Sequence, residues 1–98
     1  NEVVKLNSDL ISCFTVEGNK VYALTDSEKL QIKLRLYQLE EMLPDTFVKI
    51  NQSCIANIRK IERFDTSVSG TLLIKFKNGY KDYVSRRQMK AVKERFGL

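Results

Sequence analysis

Apolar positions along this chain recur mostly with a period of two, and a helical period takes over in only two places. Leu10 to Glu17 (LISCFTVE) and Lys20 to Thr25 (KVYALT) are β-rich runs on either side of Gly18-Asn19. That pattern predicts a hairpin with Gly18 or Asn19 at positive φ. Leu30, Ile32, Leu34 and Leu36 then alternate with Gln31, Lys33 and Arg35, the period of a half-buried strand. Next, YQLEEML places Leu36, Leu39, Met42 and Leu43 on one helical face before Pro44 ends a short helix.

Phe47 to Ile50 is a further strand candidate and Cys54 to Ile61 another, with the polar trio Asn51-Gln52-Ser53 between them. Glu62 to Ser69 reads as the end of a strand running into a loop at Ser69-Gly70. TLLIKFK and YKDYVS flank Asn78-Gly79, the strongest short-range hairpin signal. Ser85 followed by Gln88 matches a capping box, so a helix is predicted from Arg86, with Met89, Val92 and Phe96 as its apolar stripe and Gly97 at its C-cap. About seven short strands, one short mid-chain helix and a C-terminal helix make a mainly β domain of antiparallel hairpins.

At 98 residues, with 43% hydrophobic and 30% charged positions and no repeat or linker tract, residues 1–98 are expected to form a single domain. No apolar run approaches the roughly 20 residues of a membrane span, and no signal peptide is evident. A cytoplasmic protein is expected. Because the sequence begins at Asn1 rather than Met, the expectation is a domain taken from a longer protein, with an unseen N-terminal domain.

Charge is unevenly distributed. Asn1 to Val48 carries five basic against eight acidic residues, net −3, whereas Lys49 to Leu98 carries twelve against four, net +8. Such asymmetry favours a polyanion, either nucleic acid or an anionic membrane surface, although a solvated basic face would look the same.

Catalysis finds little support. There is no His, so the commonest general base and transition-metal ligand are missing. Cys13 and Cys54 lie in apolar contexts without metal-ligand spacing and read as buried free thiols. The glycines are isolated, so no phosphate-cradling motif is present. No cofactor, metal or enzymatic activity is expected.

Binding chemistry is better represented. Arg86 and Arg87 open a helix directly after a strand, with Lys90 one turn on. Guanidiniums there can fork onto phosphate or the O6/N7 edge of guanine, or they can simply lie solvated beside Asp82 or Glu94. Asn51 and Gln52 would be costly as buried mid-strand amides, so an exposed connection is expected. Asn and Gln also read adenine bidentately, although a plain polar turn held by Ser53 fits the same letters. Asn57, between Ala56 and Ile58, looks structural, its amide satisfying loop backbone from inside.

The stretch FVKINQSCIANIRKI resembles the signature of the LytTR (LytR/AlgR-type) DNA-binding domain, roughly F-x-R-x-H-R-S-x-x-V-N-x-x-x-I. Phe47, Lys49, Ser53, Asn57 and Ile61 match outright or conservatively. Asn78-Gly79 followed by Val84-Ser85-Arg86-Arg87 matches the family's later hairpin and V-S-R-x, and the Leu36 to Leu43 helix matches the element before the signature. The resemblance runs over essentially the whole chain. It implies an elongated arrangement of small antiparallel sheets whose edge loops enter successive major grooves of double-stranded promoter DNA at direct repeats, with a second copy on the neighbouring repeat. Carried over, the DNA-binding residues are Asn19 and Lys20 at the first hairpin tip, Lys49, Asn51, Gln52 and Ser53 at the signature, and Arg86, Arg87 and Lys90 at the strand-to-helix junction. Asn51-Gln52 stands where the family usually has His-Arg. Gln cannot grip guanine as Arg does, which points to adenine or a water-mediated contact at that position.

The function expected is therefore sequence-specific DNA binding by a bacterial transcriptional regulator, with a basic protein-interaction or anionic-membrane-surface module as the alternative. RNA binding is disfavoured, because Phe76 and Tyr83 alternate with polar residues as sheet positions do rather than forming a stacking platform.

Overall fold

A computed structural model describes residues 7–98 as two antiparallel sheets and two helices. Strands β1 (Cys13–Glu17), β2 (Lys20–Leu24), β3 (Lys29–Ile32), β4 (Phe47–Asn51) and β5 (Cys54–Asn57) form a five-stranded sheet in the order β3-β2-β1-β5-β4. Strands β6 (Ile61–Asp65), β7 (Leu73–Phe76) and β8 (Lys81–Tyr83) form a second sheet in sequence order. Helix α1 (Leu36–Met42) lies between β3 and β4, and α2 (Arg86–Phe96) closes the chain. The domain measures 40 × 25 × 24 Å, the elongated shape that the family resemblance implies.

The large sheet is buried on both faces, which explains why its strands read as nearly continuous hydrophobic runs. On one face, Cys13, Leu24, Cys54 and Ala56 pack with Leu72, Ile74 and Phe76 of the small-sheet segment and Val92 of α2. On the other, Phe14, Val21, Ala23 and Ile55 pack with Leu36 and Leu39 of α1. The molecule is therefore layered: α1, large sheet, then small sheet with α2. Helix α2 runs beside β4, whose free edge would otherwise invite pairing with another chain. The Ser85 amide donates to the Ile50 carbonyl at 2.9 Å at one end, and Arg95 donates to the Asp45 carbonyl at the other. Cys54 is held well above its ordinary pKa by the adjacent Cys13 thiol and by burial, and both cysteines are free and buried in the core.

Local chemistry accounts for the turns. Ser85 Oγ caps α2 by accepting from the Gln88 amide at 3.3 Å, and Gly97 ends the helix at φ +69°. In the Asn78-Gly79 hairpin, only Gly79 has positive φ, at +95°. The Gly79 amide donates to Phe76 O, and the Phe76 amide donates to Tyr80 O. This is a three-residue loop with glycine in the bulge position. Asn78 Nδ2 reaches across to the Thr25 carbonyl at 3.0 Å and ties the small sheet to the large one.

Several boundaries differ from those the sequence predicts. The alternation from Leu30 to Leu36 does not continue as a strand beyond Ile32. Leu36 instead buries with Leu39 as the first turn of α1, because alternating and helical spacings coincide at that position. Met42 is exposed, off the buried face of α1. Cys54 to Ile61 is not one strand: β5 ends at Asn57, and a 3-10 turn over Ile58–Lys60 transfers the chain to the second sheet as β6. That split accounts for eight strands among the described residues.

Asn57 performs the transfer. It is 1% exposed; its Nδ2 donates to the Ile11 carbonyl at 2.9 Å and its Oδ1 accepts from the Arg59 amide at 3.0 Å. Removing it would leave buried backbone groups without partners. Asn57→Ala is expected to lower the unfolding free energy by about 2 kcal/mol in urea denaturation. A loss no larger than that of an exposed control such as Gln31→Ala would contradict this role.

Candidate nucleic-acid interface

The feature that organises the site is a β-bulge. Val48 pairs with Ala56 and Lys49 with Ile55, but Asn51 pairs with Cys54, leaving Ile50 as the extra residue. A slip of one position turns a side chain to the opposite face of a sheet. Asn51 therefore shares the face of Cys54, where β8 and α2 lie, instead of facing α1. There its Nδ2 donates to the Tyr83 carbonyl at 2.7 Å, while its Oδ1 accepts from the Ser53 amide at 2.7 Å. The bulge also leaves the Ile50 carbonyl free to receive the Ser85 amide.

A further bond, from the Val16 amide to the Ser53 carbonyl at 3.0 Å, joins this turn to the end of β1. Glu17 pairs with Lys20 across the first hairpin, so Gly18-Asn19 is a two-residue loop. Gly18 at φ +63° supplies the left-handed position. Three segments distant in sequence thus meet at one end of the molecule: the Gly18-Asn19 tip, the Gln52-Ser53 turn and the Ser85–Arg87 junction.

At that end Asn19, Lys20, Gln52, Ser53, Arg86, Arg87 and Lys90 are all exposed. Among the described residues none of these four cations makes an ion pair. Glu17, the carboxylate next to the tip, is instead occupied by Lys29 at 2.6 Å. Arg86 and Arg87 sit in the first turn of α2, the positive end of the helix dipole, where cations are disfavoured unless an anion is present. Nearby, Tyr80 donates to Asp82 at 3.3 Å, and burial together with that carboxylate raises the tyrosine's pKa, so both stay engaged within the protein.

Two of the residues named from the sequence have different surroundings. Asn51 is half-buried, and its amide is engaged at both ends by backbone, so it braces the turn from behind. Lys49 is half-buried on the α1 side of β4, 3.9 Å from Glu40, and is not brought to the tips. Conversely, Lys33 and Arg35 read in the alternating run as an ordinary solvent face and carry no sequence signal of a site. In the fold they line a recess of about 200 Å³ with Asn19, Lys20 and Gln31, which extends the cationic end past the first hairpin. Only the pairing of β2 with β3 brings these residues together.

The family model for the LytTr DNA-binding domain matches residues 1–97. Uncharacterised HTH-type transcriptional regulators of Staphylococcus aureus strains NCTC 8325 and COL are each 38% identical over 91 residues, 93% of this chain and 61% of theirs. The chain therefore spans under two thirds of the length of these relatives. Among solved structures, the LytTr DNA-binding domain of a protein described as a methyl-accepting/DNA response regulator from Bacillus cereus is similar in fold, with a TM-score of 0.88 at 21% identity, covering 95% of this chain and 86% of that one. Although the staphylococcal names contain "HTH", α1 and α2 here are separated by β4 to β8, and the described residues hold no helix-turn-helix.

The brace is testable without any ligand. Asn51→Ala is expected to cost about 1 kcal/mol in stability and to accelerate amide hydrogen exchange at Ser53 and Ser85 selectively. Unchanged exchange at both would show that the turn and the junction are held independently.

Proposed function

The chain belongs to the LytTr DNA-binding domain family, and we propose that it binds double-stranded promoter DNA sequence-specifically as part of a bacterial transcriptional regulator. The carrying observation is the convergence of three polar loops, two of them cationic, on one end through the Ile50 bulge. The regulator would act in the cytoplasm, where the chromosome lies, with its input from a domain outside this chain.

The division of labour follows from side-chain chemistry. Gln52, exposed at a two-residue turn fixed by Asn51, is suited to a base edge, where a bidentate amide pairs with adenine. Asn19 offers the same chemistry from the neighbouring tip. Arg86 and Arg87 have two uses, a guanine edge or phosphate, and the α2 amides beside them add donors for an anion. Lys20 and Lys90 contribute phosphate contacts, which fix register without reading sequence. Ser53 presents its hydroxyl beside Gln52, while Asn51 supports the turn from behind. Spreading contacts over several rigid loops limits the ordering cost of binding, since each loop is already tied to backbone.

Fluorescence anisotropy with a duplex from the regulator's own promoter region and a shuffled duplex separates the roles. Gln52→Ala is expected to lower affinity for the promoter duplex by about tenfold, the worth of one good base contact, while leaving the shuffled duplex nearly unchanged. Arg87→Ala is expected to weaken both and to reduce the slope of log affinity against log salt by about one. Equal losses on both duplexes for Gln52→Ala would remove the base-reading role, and a wild-type chain with no preference at any salt would favour a generic polyanion-binding surface.

A further inference from the structure

The outer face of the small sheet carries charge that the DNA reading does not use. Register places Arg63 opposite Lys75 and Lys75 opposite Lys81, so one cation from each of β6, β7 and β8 lies in a row. Adjacent strands are about 4.8 Å apart, and like charges directly opposite one another destabilise a sheet. Among the described residues none of the three pairs with a carboxylate. The same face holds Asp65, Leu73 and Tyr83 in the next row, with Tyr83 51% exposed and the Asp65 carboxylate accepting from the Ser67 amide. The Asp65 carboxylate, held below its usual range by the Ser67 hydrogen bonds and by Arg63 and Lys81, offsets only part of three cations, so the ladder beside Tyr83 keeps an excess of positive charge that a partner would relieve.

The complementary surface is on the opposite side of the same molecule. Helix α1 buries Leu36 and Leu39 and presents Tyr37, Glu40 and Glu41 outward, with Tyr37 65% exposed and Met42 55% exposed. Glu40 approaches Lys49 only at 3.9 Å, and Glu41 makes no ion pair among the described residues. Apart from Arg35 at its start and Lys49 paired with Glu40, the α1 layer presents acidic and aromatic side chains and the small sheet basic and aromatic ones, so the two faces fit each other but not themselves. Contact through these two faces cannot be two-fold and is head-to-tail, the symmetry of a direct repeat.

We infer that a second copy of this chain docks its α1 face (Tyr37, Glu40, Glu41) on the Arg63–Lys75–Lys81 ladder of its neighbour when the two occupy tandem sites. This inference rests on the DNA-binding reading above. The two faces are outer layers of the molecule whereas the loops lie at strand ends, so contact between neighbours leaves the loops free for their own sites.

The test uses a duplex selected from a random library by the chain itself, carrying one copy of the site or two copies in tandem at spacings of one and two helical turns. Wild type is expected to bind the tandem duplex, at one of the spacings, about tenfold more tightly per site than the single one. Glu40→Gln/Glu41→Lys and Lys75→Glu/Lys81→Glu should each abolish that gain, and the four changes combined in one chain should restore it, because opposite charges again face each other. Circular dichroism and single-site affinity show that each variant is folded. The inference is overturned if the gain is absent from wild type or survives both variants. It is equally overturned if the ladder variant instead weakens single-site binding and flattens its salt dependence, which would assign the ladder to phosphate. Should no selected duplex bind better than random DNA, the DNA reading fails. Sedimentation equilibrium of wild type against the two variants at low salt then decides the contact alone, with wild-type association overcoming that of both variants expected and equal behaviour contradicting it.

Discussion

The architecture of the loop end depends on one irregularity, the extra residue at Ile50. In a regular ladder, Asn51 would face α1 and the Ile50 carbonyl would have no call to leave the sheet. With the bulge, Ile50 keeps its side chain fully buried in the core between the sheets, its carbonyl anchors the start of α2, and Asn51 bridges the β4–β5 turn to the end of β8. A single-residue slip therefore couples the two sheets where the exposed cations gather. It also explains why a polar trio can interrupt a buried strand without an unpartnered amide.

Charge is divided more finely than the net +8 of the C-terminal half suggests. Some cations are consumed internally: Lys60 lies 3.7 Å from Asp26, and Lys77 and Arg95 donate to backbone carbonyls. Others form the loop end, and three more form the ladder on the small sheet. Electrostatics of this kind steers and orients association more than it stabilises the fold, since exposed pairs contribute little. The stability of the domain comes instead from two apolar layers on either side of one sheet, with Ser12, Thr15 and Asn57 as buried polar residues among the described ones.

Much of this was legible in the sequence where local chemistry decides the structure. Gly18, the Asn78-Gly79 hairpin, the Ser85 cap and the Gly97 stop are local signals, and the structural role of Asn57 followed from an amide set among apolar neighbours. What the letters could not carry was non-local. Leu36 satisfies both an alternating and a helical pattern, and only packing against the sheet chooses between them. The inward engagement of Asn51 depends on register with Cys54, and Lys33 and Arg35 join Lys20 only because β2 pairs with β3. The in-register ladder of Arg63, Lys75 and Lys81 is likewise invisible until three strands are aligned.

One end of the domain, held together by the bulge, is the proposed DNA face. The most direct test is to follow backbone amide resonances while titrating a single-site duplex. The largest shifts are expected at Asn19–Lys20, Gln52–Ser53 and Arg86–Lys90, with Arg63, Lys75, Lys81 and the outer face of α1 little affected. Shifts concentrated on the small sheet or on α1, with the three loops unperturbed, would contradict it.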